Sequence, residues 1–322
     1  LYEPIEHRPQ QGGFPCIQSL VRHIFGEQYE LGMDYLQLLY LQPVQKLPIL
    51  LLVSEERNTG KSTFLNFLKA VFQNNVTFNT NEDFRSQFNS DWTGKLLIVV
   101  DEVLLNRRED SERLKTLSTT LSYKVEAKGK DRDEIAFFAK FVLYSNNEYL
   151  PVIIDAGETR YWVRKINHLQ SDNTNFLQKL KAEIPAFLYH LQHRTMATKK
   201  ESRMWFAPSL LHTEALRNII RSNRNRLEIE MCELILDIMD STGTDTFSFC
   251  YNDVLLLLVH SQVKVEKHQV RKVIQECWKL TPASNTLTYT TYQVDCTREC
   301  HYSPIRKTGR FYTVTKEYLT TL

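Results

Sequence analysis

Residues 51–68 read LLVSEERNTGKSTFLNFL. Together with Pro48–Leu50 the opening forms a continuous apolar run, PILLLV, of the kind found in strands buried on both faces. A turn-rich loop follows, then Gly60-Lys61-Ser62-Thr63, then KSTFLNFLKAVF (61–72) with apolar residues at helical spacing. Strand, loop and helix in that order make a cradle for phosphate, because loop and helix N-terminal N–H groups converge on the anion. Thr59, Gly60, Lys61, Ser62 and Thr63 match the second half of the pattern G-x-x-x-x-G-K-[ST]. In that pattern the lysine reaches the β- and γ-phosphates and the hydroxyl holds Mg²⁺, so Lys61 is assigned to phosphate and Ser62 to metal. The first half departs from the pattern, since Glu55 stands where its first glycine belongs. A carboxylate there is tolerable pointing outward and repels a triphosphate pointing inward. The alternative is a chance Gly-Lys-Ser-Thr at an exposed helix start.

Two more apolar runs end in polar groups suited to the same chemistry. KLLIVVDEV (95–103) delivers Asp101 and Glu102 at the end of a buried strand, where open α/β sheets bind ligands. Asp101 is expected to hold Mg²⁺ directly or through water, and Glu102 to orient and deprotonate an attacking water. Acidic caps of a helix N-terminus are the alternative. FFAKFVLYSNN (137–147) ends in two amides, of which Asn146 is expected to meet the γ-phosphate or the lytic water. Here the alternative is a simple turn, which Asn favours.

The remaining chain supplies the frame. CIQSLVRHIFG (16–26) and MDYLQLLYLQPV (33–44) are helical patterns, the second closed by Pro43. TRYWVRKI (159–166) is a fourth strand candidate. Strands alternating with helical patterns predict an α/β core with a mainly parallel sheet. FLQKLKAEIPAFLYHLQHR (176–194) and PSLLHTEALRNIIRSN (208–223) are helical. Three further helical patterns then precede the β-rich NTLTYTTYQVD (285–295) and GRFYTVTKEYL (309–319), the order of a winged-helix-like domain. The expected divisions are a helical lead-in (1–45), a P-loop core (46–170), a helical extension (171–223) and the winged-helix-like domain (224–322).

In order and spacing the three motifs resemble those of superfamily 3 helicases, more closely the helicase portion of phage, plasmid and large-DNA-virus primase–helicases. The resemblance spans about residues 46–168, with SEERNTGKST as Walker A, LLIVVDEV as Walker B and FVLYSNN as motif C. It implies an AAA+-like core assembled into a ring, usually hexameric, that encircles DNA and hydrolyses ATP with Mg²⁺. It also implies an arginine after motif C that enters the neighbouring subunit's site. GETRYWVRKI offers Arg160, with Arg164 as the alternative. YKVEAKGKDRDEI, between Walker B and motif C, is similar to the family's pore hairpin, so Lys128 and Lys130 are expected to touch the backbone of single-stranded or forked DNA. The bland reading is a solvated turn. Relatives often carry a primase module ahead of the helicase. This chain starts at Leu1 rather than Met, as part of a longer protein would.

Composition narrows the rest. The chain has 322 residues, 42% hydrophobic and 24% charged, with a formal net charge of +2, so any nucleic-acid surface is local. No apolar run approaches the roughly 20 residues that span a bilayer, and no membrane partner or signal peptide is expected. Six scattered cysteines suggest no disulfide framework and an intracellular setting, the cytoplasm of a bacterial host if the gene belongs to a phage or plasmid. Cys296, Cys300 and His301 in CTRECH are too few for a zinc site by themselves. Lys199, Lys200 and Arg203, and then Arg221, Arg224 and Arg226, are basic runs that usually mark solvated faces. KHQVRKVIQECWK (267–279) would be a recognition helix carrying Lys267, His268, Arg271 and Lys272, with Arg306, Lys307 and Arg310 on a wing. Twelve basic and twelve acidic residues between 224 and 322 leave that domain neutral and docking to protein open. The expected function is an ATP-driven, ring-forming DNA helicase or translocase in replication of a mobile element, working with a primase or other replication proteins. The alternative is a nucleotide-gated binding switch that does not unwind DNA.

Overall fold

The computed structural model describes residues 3–86, 90–105, 107–125, 133–155, 157–169, 175–223, 226–261, 263, 265–295 and 301–321. The chain forms two compact units, Leu1–Asn223 and Arg224–Leu322.

The first unit opens with two helices, α1 (Pro15–Phe25) and α2 (Tyr29–Leu41). Next come β1 (Ile49–Val53), α3 (Lys61–Phe72), β2 (Val76–Asn79), α4 (Asn81–Arg85), β3 (Leu97–Val100) and α5 (Arg108–Thr119). A hairpin of β4 (Ser122–Val125) and β5 (Asp133–Ala136) precedes β6 (Lys140–Ser145) and β7 (Tyr161–Lys165). The unit ends with α6 (Phe176–His193), α7 (Pro208–Leu211) and α8 (Glu214–Ser222). The five core strands are all parallel, in the order β2-β3-β6-β1-β7. This is the expected α/β sheet with one strand more than the sequence patterns supplied. β2 is an edge strand of four residues, half-exposed, so its VTFN carries no apolar run.

Every residue of β1 is buried, and successive side chains enter opposite cores. Leu50 and Leu52 pack with α1, α2, α3 and α6. Ile49, Leu51 and Val53 pack with Phe84 of α4, Leu114 and Leu117 of α5, and Leu216 and Ile219 of α8. The opening helices and those after β7 therefore share the sheet's core. Phe25 is the seam: its ring stacks on Trp162 of β7 at 4.9 Å, and its carbonyl accepts from Arg164 Nη2 at 2.8 Å.

The second unit runs α9 (Arg226–Thr242), β8 (Thr246–Phe249), α10 (Tyr251–His260), α11 (Lys267–Lys272) with a π-helical turn (Val273–Cys277), β9 (Leu287–Asp295), β10 (His301–Gly309), β11 (Tyr312–Thr315) and α12 (Lys316–Thr321). Its hairpin joins β9 to β10, whereas 312–315 returns to pair with β8, and KEYLTT turns helical. The sequence patterns place the β-rich partner at 309–319 instead. Pro304 inside β10 masked the strand, since proline gives no ladder N–H. The aromatic residues Phe247 and Phe249 are core.

Gly32 of α2 lies against the Phe25 ring, where an added Cβ would stand 2.3 Å from Cδ2. The ring is clamped by Trp162 and cannot retreat freely. Gly32→Val is expected to cost about 2 kcal/mol or more through overpacking. The urea midpoint measures it, and an unchanged midpoint would show that the seam is loose.

Candidate functional site

β1 lies between β6 and β7, so the loop leaving Val53 opens at the carboxyl ends of parallel strands, where open α/β sheets bind ligands. A cavity of about 420 Å³ lies there, lined by residues 56–63, Glu102, Tyr144, Asn146, His168 and Leu169. Gly60 takes φ +79° at the N-cap of α3, a left-handed conformation that favours glycine, and an added Cβ would stand 3.3 Å from Leu169 Cδ1. The loop is braced from two sides. His23 Nε2 of α1 lies 2.9 Å from the Thr59 carbonyl oxygen, and the Leu169 N–H donates to the Asn58 carbonyl at 3.0 Å.

Lys61 is 4% exposed. Its ammonium donates to Ser54 Oγ, to the Ser145 carbonyl at 3.1 Å and to Asn146 Oδ1 at 3.0 Å. These partners are neutral. Burial therefore lowers the Lys61 pKa to about 8, with Glu148 opposing the shift weakly. Lys61 and Asn146 thus meet directly, as partners in one cage at the end of β6.

Ser62 and Asp101 are exposed at the start of α3 and just past β3. Tyr144 of β6 faces both. Burial first, then the Asp101 carboxylate, holds its phenol above the ordinary range, while Ser62 pulls the other way. A hydroxyl and a carboxylate reaching one point from two elements are a hard-oxygen pair suited to Mg²⁺. Tyr144 is not among the site residues that the sequence predicts. Its one signal is the period of two, which puts it on the same strand face as Asn146.

Glu102 lines the cavity with φ +46°, a conformation uncommon outside glycine. Asn81 holds the turn: its Nδ2 donates to the Glu102 carbonyl at 3.0 Å, and its Oδ1 accepts the Leu104 N–H at 3.0 Å. Thr80 caps α4 reciprocally with Asp83, which fixes Asn81 beside the turn. Arg85 donates to the Leu104 carbonyl at 3.2 Å and is gripped by Asp110 of α5 through Nε and Nη2. Neither Asn81 nor Arg85 belongs to a sequence motif.

Glu55 is exposed and is not among the cavity's lining residues. Its N–H donates to Glu148 Oε1 at 3.1 Å, and Glu148 also binds Lys165 at 2.8 Å. Arg160 stands just before β7, whose Tyr161 pairs with Ile49 at the start of β1, so it lies at the opposite end of the sheet from the cavity. Glu158 grips Arg160 Nη1 at 2.7 and 2.9 Å. Arg164 is buried and committed within its own fold to Glu27, Gln28 and the Phe25 carbonyl.

Lys128 and Lys130 lie outside the described residues; the strands beside them pair antiparallel up to Val125 and Asp133. Cys296 and Cys300 also lie outside them, as does Arg224. In the second unit Lys267, His268, Arg271 and Lys272 are exposed on α11, as are Arg306 and Arg310 on β10 and beyond. Lys307, on β10 of the hairpin, bonds the buried Asp253 of α10 at 2.6 Å and ties the hairpin to the core. Among the described residues no helix is long and apolar enough to cross a membrane.

A family model described as "Family of unknown function (DUF5906)" matches residues 52–164, about a third of the chain. No curated protein matches the sequence. The fold is similar to the apo structure of the NrS-1 C-terminal region (305–718), with TM-score 0.69 and 17% identity over 97% of this chain and 79% of that one. Its A form gives TM-score 0.67 and 15% identity over 96% and 78%. At such identity the likeness is one of fold. A JCV helicase bound to a thiazolopyridine acetamide gives only TM-score 0.35 and 10% identity over 69% and 65%, too low to carry an argument.

The buried Lys61 sets a pH dependence. Its folded pKa of about 8 lies below the ordinary 10.5, so between those values the unfolded chain binds the extra proton, and stability rises with pH across that window. A polyanion needs the charged form. Affinity for inorganic triphosphate is therefore expected to fall as pH rises through about 8, by up to about tenfold per unit. Lys61→Met should bind weakly with no such slope. Calorimetry from pH 7 to 10 checks this, and a flat wild-type profile would sink it.

Proposed function

We propose that the chain is an ATP-driven DNA helicase or translocase of the superfamily 3 type, working as a ring, usually hexameric, in replication of a phage or other mobile element. The convergence of Lys61, Ser62, Glu102 and Asn146 on one cavity, with Asp101 meeting the cavity's Tyr144, carries this reading. Three separate strand ends supply them, so a chance Gly-Lys-Ser-Thr at a helix start does not account for the arrangement.

Lys61 would leave its neutral cage for the β- and γ-phosphates. Ser62 and Asp101 would hold Mg²⁺, which supplies charge neutralisation on the phosphates when bound. Glu102, fixed by its clamped turn, would take the proton of the attacking water. Asn146, freed from Lys61, would turn to the γ-phosphate. Arg160 faces away from its own cavity, so a finger role requires another copy of the chain. The β4–β5 hairpin would present Lys128 and Lys130 to a single strand. The second unit, read as winged-helix-like, offers its exposed α11 cations to DNA or to a replication partner such as a primase.

Glu102→Gln is expected to bind ATP as the wild type does and to lose turnover by on the order of 100-fold, since only the water-activating group is removed. Near-normal turnover would overturn the assignment. Single-stranded DNA should stimulate the wild-type ATPase, whereas a nucleotide-gated switch predicts none.

The ring is tested by mixing. Arg160→Ala and Lys61→Ala should each be inactive, the first for want of a finger worth roughly 10³–10⁵ in rate. If the finger acts between copies, a mixture with confirmed subunit exchange recovers ATPase. A flat, inactive profile would remove Arg160 from that role.

A further inference from the structure

The N-terminal edge of the sheet, opposite the nucleotide cavity, holds a feature the ATPase chemistry does not use. The turn between α2 and β1 and the segment after α6 enclose a cavity of about 460 Å³, lined by residues 41–46, Lys200 and Arg203. Gln45 joins the two walls: its Oε1 accepts from Lys200 Nζ at 2.9 Å, and its Nε2 donates to the Arg203 carbonyl at 3.0 Å. Among the described residues no acidic side chain lines this cavity, and Glu201, between the two cations in sequence, is not part of the lining.

Beneath it are two buried lysines. Lys46 is 6% exposed and donates to the Phe137 carbonyl at 2.8 Å; Lys140 is 2% exposed and donates to the Pro43 carbonyl. Among the described residues neither has a carboxylate partner, and each is held below the ordinary lysine range, chiefly by burial. Buried ammonium groups are normally paired, because isolating a charge from water is costly. Two exposed cations and two buried amines around one turn, with no carboxylate partner for the buried pair among the described residues, are therefore a site short of counter-charge. The location is informative as well. Phe137 immediately follows β5 and its N–H donates to the Leu121 carbonyl just before β4, so Lys46 reaches the root of the hairpin.

We propose that this cavity is a phosphodiester subsite for a single nucleic-acid strand, with Lys200 and Arg203 on its rim and Lys46 at its floor taking a backbone phosphate. It lies away from the nucleotide cavity and does not need ATP. A strand contacting the hairpin would have a second anchor at the hairpin's root. Binding would also restore the missing counter-charge over Lys46 and Lys140, so it should be accompanied by proton uptake near pH 8, where a lysine held at about 8 is partly neutral.

The test uses the full chain without nucleotide and a labelled 20-nucleotide oligo(dT), followed by anisotropy at several salt concentrations. Lys200→Ala with Arg203→Ala should weaken binding about tenfold and lower the salt slope by roughly 1.4, two phosphate contacts on a single strand. Both residues are exposed, so folding is not at stake. Lys46→Met should weaken binding and reduce the proton uptake, read by calorimetry in buffers of different ionisation enthalpy. Lys61→Ala should bind the oligonucleotide as wild type does, so failure of the ATPase reading and failure of this one are separable. Inorganic phosphate is the second arm: weak, millimolar competition that disappears in the double variant supports the shared phosphate chemistry. Tight phosphate binding with unchanged oligonucleotide affinity in the double variant would assign the pocket to a free anion and overturn the proposal. An unchanged affinity and salt slope would overturn it outright.

Discussion

Burial of β1 on both faces is the constraint from which the first unit follows. A five-residue strand with no exposed side chain needs a parallel partner on each edge and a helical layer on each side. β6 and β7 meet the first need, and α1–α3 with α6 on one face and α4, α5 and α8 on the other meet the second. Once β1 is fixed, the loop leaving Val53 has to open beside the ends of β6 and β7. The Gly60–Thr63 loop, the amide of Asn146 and the Asp101–Glu102 turn are brought together by strand pairing before any direct bond between them.

Within that frame the site is held by neutral groups. Lys61 is caged by a hydroxyl, a carbonyl and an amide rather than by a carboxylate. Such a cage keeps the ammonium positioned without competing for it, because a polyphosphate offers a far stronger partner. The acidic residues stand off on the other side, where Asp101 and Glu102 are exposed and the strained turn carrying Glu102 is clamped by Asn81. Positive and negative groups are thereby separated across one cavity.

The two ends of the sheet differ in electrostatic character. At the carboxyl ends both signs of charge converge. At the amino ends Arg160 is tied to Glu158, which lies 3.8 Å from Lys115 of α5, while Lys46 meets the Phe137 carbonyl and ring and Lys140 the Pro43 carbonyl, neither with a carboxylate partner among the described residues. α5 spans both regions, since its Asp110 grips Arg85 beside the Walker B turn and its Lys115 reaches the Asp155–Glu158 segment. α5 thus carries ion pairs both beside the Asp101–Glu102 turn and at the end of the sheet where Glu158 holds Arg160.

The three strand-end motifs were legible because each is a short apolar run that stops at a polar group, and burial of a strand determines both facts. Gly60, Lys61, Ser62, Asp101, Glu102 and Asn146 could be placed at strand ends without coordinates. The sequence alone did not reveal β2, whose VTFN is short and half-exposed at an edge, nor the partner of β9, interrupted by Pro304. It also left the direction of Glu55 open, and only the fold shows that it is exposed and outside the cavity lining. Tyr144, Asn81, His23 and Lys46 have no motif because their roles depend on which distant backbone group each meets. Local sequence determines strands, helices and the identities of reactive groups; only tertiary packing decides which lysine finds a counter-charge and which is left without one.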